Sequence, residues 1–254
     1  MIRHRVTAAS VSLVLLLTAA CTSSGKKHST TSSTTGSTAG TPAARSLSES
    51  LHAALSTLSS AAITIDAGGL IATTTGHIKL ADGHSTASEY MIGTGAEGSH
   101  VIVVGNDAFA ALPAGQNTSG KPYIKVSANS GNEFVRGLAE NLQILEATAS
   151  LGDLADLVST ASAFTDKGAA AGGTHEYTFS ISGDAHGSVL QQQVAELGSD
   201  PVGVDLFVNG QKLPVKVVLQ VKIAGSTLPV TATLSNFNAP VTITAPPANQ
   251  VTNG

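Results

Sequence analysis

Apolar and polar residues alternate most regularly in the last third of the chain. Every second residue of 202–208 is Val or Leu, and the same period of two continues over 213–223 and 230–234. Because successive side chains of a strand point to opposite faces, these runs predict strands with one apolar and one solvated face. The Asn209-Gly210 pair between the first two runs predicts a tight hairpin turn.

Shorter runs with the same period predict further strands. Gly, Asp and Asn residues, which are typical of turns, separate the runs in the first half of the chain, so these strands should form an antiparallel meander. Two more runs, 177–181 and 241–244, predict a strand before the C-terminal group and a last short strand after it. The runs of the first half are 63–66, 78–80, 90–92, 101–104 and 123–126.

Three stretches carry leucines at helical rather than strand spacing. In 46–60 a single leucine stripe predicts an amphipathic helix with Ser46 or Ser48 as its N-cap. Residues 134–149 and 151–161 continue one apolar stripe across a short break, which predicts two consecutive helices.

The predicted elements follow the order helix, strands, helices, strands, with one further short helix near 187–197. A sheet or helix must bury its apolar face against another layer. The simplest arrangement is an α+β fold in which one strongly curved antiparallel sheet, a half-barrel, is covered on its concave apolar side by the helices. No internal repeat and no second domain is visible in 45–254.

Composition excludes several functions. Charged residues make up 12% of the chain, about half the usual share, and the 13 basic residues are scattered, so nucleic-acid binding is not expected. The single cysteine excludes internal disulfides and cysteine-based metal sites. The eight histidines lack ligand spacing, and the motifs of metalloproteases, serine hydrolases and phosphate-binding loops are absent from the sequence. We therefore predict a protein without catalytic residues, metal site or cofactor.

The N-terminus carries the strongest functional signal. Two arginines precede an apolar run over 11–17, which is too short to cross a bilayer as a helix. The run leads into Leu-Thr-Ala-Ala-Cys at 17–21, which resembles a bacterial lipobox with Thr18 where Leu is more common. Residues 1–20 are therefore predicted to be a lipoprotein signal peptide, whose removal leaves a lipidated Cys21 at the mature N-terminus. The alternative is an ordinary secretory signal followed by an incidental cysteine.

Lipidation places the mature protein on the outer face of the cytoplasmic membrane. Two or three acyl chains, palmitate among them, hold a protein there stably, whereas a single chain does not. Residues 22–44 contain 13 Ser or Thr among 23 and no large apolar residue. Segment 21–44 should therefore be a lipidated, disordered tether to a folded domain over 45–254. The mature chain keeps 11 basic and 17 acidic residues, a net charge of −6, so we expect the lipids rather than the charge to anchor it.

Three segments resemble a known family. Residues 104–113 (VGNDAFAALP) and 120–126 (GKPYIKV) resemble a recurring strand–loop–strand of actinobacterial lipoproteins, the LppX/LprA/LprF/LprG group. Residues 234–247 (LSNFNAPVTITAPP) are similar to the C-termini of that group, and the resemblance covers roughly 46–252 in order of elements. It implies a half-open sheet closed by helices around a large apolar cavity, similar to LolA and LolB.

The resemblance also implies a function, which is to bind acylated lipid or lipoglycan and carry it across the cell envelope. It is compatible with a membrane transporter as a partner. Phe109, Tyr123 and Phe207 stand where the family often has Tyr, Trp and Trp. These aromatic exchanges leave the expected fold unchanged, but they alter the shape of a pocket and so leave the identity of the lipid open.

With this resemblance, the apolar faces of the sheet and the helices are expected to line a cavity for acyl chains. A filled core is the alternative, and it would leave a tethered, non-catalytic interaction module of the envelope. A third interpretation is an envelope hydrolase, which needs His and carboxylate groups clustered in a cleft. The predicted cavity-lining residues are Leu138, Leu142, Leu145, Leu154, Leu157, Val217, Leu219, Val221, Ile223 and Leu234.

Overall fold

The structure is a computed structural model, and it describes residues 40–68, 72–93, 98–111, 120–181, 201–223 and 226–253. The predicted signal peptide, Cys21, the tether up to residue 39 and the predicted helix near 187–197 lie outside the described residues.

The described part contains three α-helices and twelve strands. The helices are α1 (Pro42–Leu55), α2 (Glu133–Ala149) and α3 (Leu151–Thr160). The strands are β1 (Ser60–Asp66), β2 (Thr74–Ala81), β3 (His84–Ile92), β4 (Ser99–Val104), β5 (Asp107–Ala111), β6 (Tyr123–Lys125), β7 (Ser162–Ala170), β8 (Thr174–Ile181), β9 (Val202–Val208), β10 (Pro214–Ile223), β11 (Ser226–Ser235) and β12 (Val251–Asn253).

The described strands all belong to one sheet, in the order β12-β6-β5-β4-β3-β2-β1-β11-β10-β9-β8-β7. A meander of β1 to β6 and a meander of β7 to β11 meet where β1 pairs with β11, with Ile63 opposite Leu234. Every neighbouring pair is antiparallel except β12 and β6, which run parallel. The predicted α+β fold with a single, mostly antiparallel sheet is therefore confirmed.

The three helices pack against one face of this sheet. The α2–α3 pair connects β6, near one edge, to β7 at the other. Leu142 and Leu157 of these helices share one hydrophobic core with Leu51 of α1 and with Ile63 and Leu206 of the sheet. Removal of this apolar surface from water is the main force that holds the layers together. The strong curvature of the sheet, and a concave shape for the helix-covered face, stay predictions.

Helix α1 begins four residues before the predicted start. The Thr41 hydroxyl accepts a hydrogen bond from the Ala44 amide at 3.1 Å, and Pro42 occupies the first helical turn, where its missing N–H costs nothing. The predicted caps Ser46 and Ser48 are therefore wrong, since both lie inside the helix. The predicted tether extends to residue 44, but its last three residues are helical.

The connection between β9 and β10 is longer than the predicted turn. Strand β9 ends at Val208 and β10 begins at Pro214, so five residues separate them. The side chain of Asn209 accepts hydrogen bonds from the amides of Gln211 and Leu213, at 2.9 and 3.0 Å, and Lys212 adopts a positive φ of 63°. Asn209 thus organises the predicted hairpin turn, which extends to Leu213 rather than ending after the Asn209-Gly210 pair.

At the margins of the sheet one predicted strand is absent, and two strands are present that the sequence did not predict. The expected strand over 241–244 is irregular, and Ile243 packs with Ala87 and Ile102 in a small second core. Strand β12 follows instead and pairs with β6. Strand β7 was not predicted because it is largely exposed and built of small and polar residues, so it lacks alternation.

Candidate functional site

The predicted lining residues of the helices are buried in the core between helices and sheet. Leu157, for example, has no exposed surface. All five belong to the same hydrophobic cluster as the predicted sheet residues Val217 and Leu234. The structure therefore brings the helix stripe and the sheet face together. The five helix residues are Leu138, Leu142, Leu145, Leu154 and Leu157.

Strand β10 presents two of its predicted residues, Val217 and Leu219, to the same core. Val217 lies opposite Leu206 of β9, and Leu219 lies two residues further along, so both point to one face of the sheet. Val217 and Val221 are buried, whereas Leu219 is half-buried against the core. Ile223 ends the strand, and its side chain is outside the described residues.

A polar cluster interrupts this apolar layer. Ser88 and Tyr90 of β3 are buried, and both donate hydrogen bonds to Oε1 of Glu146 in α2, at 2.5 Å and 2.9 Å. Ser88 and Tyr90 are two residues apart, so they share the helix-facing side of β3. We call Ser88, Tyr90 and Glu146 the β3–α2 polar cluster.

The ring of Tyr90 fits this place because its neighbour across the strands is a glycine. Gly76 pairs with Tyr90, and a Cβ atom at position 76 would lie 2.7 Å from Cδ1 of the ring and would also clash with the Glu89 carbonyl. The absent side chain leaves room for the ring beside Gly76. The hydroxyl of Tyr90 thereby reaches α2.

Burial and charge both act on Tyr90. Desolvation, followed by the negative charge of Glu146, raises the pKa of the Tyr90 hydroxyl well above its usual value. The hydroxyl therefore stays protonated and continues to donate to the carboxylate over a wide pH range.

The sequence did not predict the β3–α2 polar cluster. Glu146 directly follows Leu145, which belongs to the predicted apolar stripe. From its position alone, Glu146 would therefore be placed at the solvated edge of the helix. Ser88 and Tyr90 lie 58 and 56 residues away in the sequence. One signal in the sequence pointed to the cluster. Ser88 lies two residues before Tyr90 on the same strand, so a polar serine shares the strand face that Tyr90 was predicted to bury.

Tyr90→Phe is expected to lower the free energy of unfolding by about 1–3 kcal/mol at neutral pH, because the carboxylate loses a donor. The folded protein binds the phenolic proton more tightly than the unfolded chain. This contribution is complete below about pH 10 and is lost as the pH rises further. Denaturant titrations at pH 7 and at alkaline pH should show the gap between wild type and variant closing. A gap that does not change with pH would contradict the raised pKa.

Histidine–carboxylate pairs occur elsewhere, on the surface. His52 contacts Asp156 at 2.9 Å, and His175 contacts Asp166 at 2.5 Å. The hydrogen bond from His175 is the main reason why the pKa of Asp166 is lowered. Within the described ranges, no group of three or more His, Cys, Asp or Glu residues is arranged to hold a metal ion. These pairs are exposed to water and are not gathered in the apolar layer.

The described helices include none that is both long and apolar enough to cross a membrane.

An open, mostly antiparallel sheet with helices packed on one apolar face defines the class of fold. Within this class, the structure is similar to that of the lipoprotein LppX from Mycobacterium tuberculosis. The TM-score is 0.52 at 14% sequence identity, over 81% of this chain and 100% of LppX. LprF from Mycobacterium bovis matches with a TM-score of 0.52 at 18% identity, over 82% of this chain and 99% of LprF. The resemblance inferred from the three segments is therefore confirmed at the level of the fold.

A LolA superfamily protein from Nitrosomonas europaea is more distant. It matches with a TM-score of 0.36 at 11% identity, over 78% of this chain and 94% of that protein. The sequence itself matches no protein-family model and no curated protein.

Proposed function

We propose that this protein is a lipid-anchored envelope lipoprotein that binds acylated lipid or lipoglycan between its helices and its sheet and carries it across the envelope. The observation that carries the proposal is the continuous apolar layer formed by the helix stripe and one sheet face. The layer occurs in a chain with the fold of the lipoproteins LppX and LprF. The side chains that form the apolar layer are mainly aliphatic, and aliphatic side chains are suited to contact with acyl chains.

The energetics of such a carrier need no nucleotide. Burial of one methylene group gains about 0.8 kcal/mol relative to water, and a bilayer offers about the same gain. Transfer of an acyl chain between the membrane and an apolar cavity is therefore nearly neutral. This balance agrees with a non-catalytic role without metal or cofactor, and a membrane transporter is the kind of partner that would give transport a direction.

The N-terminus supplies the location in this proposal. Acyl chains on Cys21 hold the protein at the outer face of the cytoplasmic membrane, where signal peptide 1–20 would direct it. A flexible coil of the length of 22–39 would span roughly 21–25 Å. This reach keeps the folded domain close enough to the bilayer to exchange lipid with it.

Native mass spectrometry of the whole chain, purified in mild detergent from a lipid-containing host, tests the proposal. We expect noncovalent diacyl or triacyl lipid at close to one molecule per chain, in addition to the covalent anchor. Lipid extraction and mass analysis then identify the ligand class. A protein that carries only its anchor, and that takes up no lipid from vesicles, would contradict the carrier function. That result would favour the alternative, a tethered non-catalytic interaction module with a filled core.

A further inference from the structure

The β3–α2 polar cluster lies within the apolar layer that the proposed function assigns to lipid. From its geometry we infer that Glu146 is a specificity-determining residue, which selects lipids whose polar part donates a hydroxyl and rejects lipids with an anionic phosphate. This inference rests on the proposed function and adds the chemical class of the ligand's polar group.

Glu146 has hydrogen-bonding capacity that its partners on β3 do not use. A carboxylate offers about four acceptor positions, and Oε1 uses two of them for Ser88 and Tyr90. No donor to Oε2 is found among the described side chains. Glu146 is half-buried, so Oε2 keeps access to solvent. A ligand hydroxyl can therefore reach Oε2 and replace the water that otherwise hydrogen-bonds to it.

The β3–α2 polar cluster presents hydrogen-bond acceptors rather than donors. Both hydroxyl hydrogens of Ser88 and Tyr90 point to Glu146, so their oxygens are left with acceptor positions only. The cluster therefore offers acceptors and no spare donor. Acceptors recognise hydroxyl or amine donors, and they do not recognise a deprotonated phosphate oxygen.

Charge acts in the same direction. None of the described Lys, Arg or His side chains forms an ion pair with Glu146. Glu146 is half-buried, and its helical neighbours Leu142, Leu145 and Ala149 are buried and apolar. Beside such an apolar layer, charges interact more strongly than in bulk water. A phosphate brought to this place would meet the negative charge of Glu146 with no cation paired to it among the described residues.

A purely structural role is the rival explanation. The cluster fastens α2 to β3, and that function requires no ligand. A structural role predicts that changes at Glu146 alter stability while the ranking of lipids stays the same. The two explanations therefore differ in a binding measurement.

The test uses the delipidated full chain and three probes with identical acyl chains. The probes are diacylglycerol, the same diacylglycerol with its hydroxyl methylated, and phosphatidic acid. Their affinities are measured by displacement of a fluorescent acyl probe. We expect diacylglycerol to bind about tenfold more tightly than either of the others, which is the size of effect of a hydrogen bond to a charged group. This ranking is measured on the unaltered protein, so it does not depend on the folding of a variant.

Glu146→Gln keeps the size of the side chain and an acceptor oxygen for the β3 hydroxyls, but it removes the charge. We expect weaker binding of diacylglycerol and stronger binding of phosphatidic acid, each by about tenfold. Glu133→Gln is the matched control, because Glu133 begins the same helix and its side chain is 92% exposed. The control variant should keep the wild-type ranking.

The outcomes distinguish the role of Glu146 from lipid binding itself. If the unaltered protein binds all three probes equally, or if Glu146→Gln lowers the melting temperature without changing the ranking, the inference about Glu146 is overturned and lipid binding stands. If no probe binds to the unaltered protein, lipid binding itself is overturned and the inference falls with it.

Discussion

Cys21→Ala is expected to abolish acyl labelling of the protein completely. In the proposed anchor the diacylglyceryl group would be attached through the cysteine sulfur, and Cys21 is the only cysteine of the chain. No other residue can accept the thioether-linked lipid. Metabolic labelling with palmitate, followed by electrophoresis of the protein, measures the effect. We also expect the variant to accumulate as the unprocessed precursor, because the lipobox is destroyed.

Thr18→Leu provides the matched control for the anchor. It gives position 18 the residue that is more common three places before a lipobox cysteine. Labelling and processing of this variant should equal or exceed those of the wild type. Absence of palmitate from the wild type, together with cleavage of Cys21→Ala at the same place, would show that 1–20 is an ordinary secretory signal.

Leu219→Trp is expected to reduce the noncovalently bound lipid several-fold while the protein stays folded. Leu219 is half-buried against the core on the helix-facing side of β10, so an indole there would extend into the space proposed for acyl chains. Overpacking of a filled site costs about 1–3 kcal/mol, which gives an upper limit for the loss of stability. The measurement is the ratio of lipid to protein in native mass spectrometry, together with the melting temperature.

The neighbouring residue supplies the control for Leu219. Gln220→Trp adds the same indole to the opposite face of the same strand, where Gln220 lies near Asp205. Its lipid content should match that of the wild type. If Leu219→Trp folds and carries a full complement of lipid, the assignment of this sheet face to the cavity is wrong.

The alternation of residues predicted the strands well where each strand has one buried and one solvated face. Strand β9 is an example, because its odd and even positions meet different surroundings. The prediction failed at β7 and β12, which lie at the two ends of the sheet. An edge strand buries little surface on either face, so burial does not select an alternating pattern there.

Hydrogen bonds from cap and turn residues set the ends of helices and the lengths of loops, which hydrophobic spacing does not predict. The leucine stripe of α1 gave the helix, but its start depends on a hydrogen bond to Thr41 and on Pro42. The width of the β9–β10 loop depends on which amides the Asn209 side chain reaches. In both cases several neighbouring residues could form the cap or the turn, and hydrophobic spacing does not show which of them does.

The sequence by itself determined the type of most elements, the predicted lipid anchor and the apolar stripes, because these depend on residues that are near one another in the chain. Only the tertiary structure decided that β1 and β11 join two meanders into one sheet. It alone brought Glu146 to Ser88 and Tyr90. Strand partners and side-chain contacts between distant segments depend on how the whole core packs. The spacing of residues along the chain does not show which distant segments will meet.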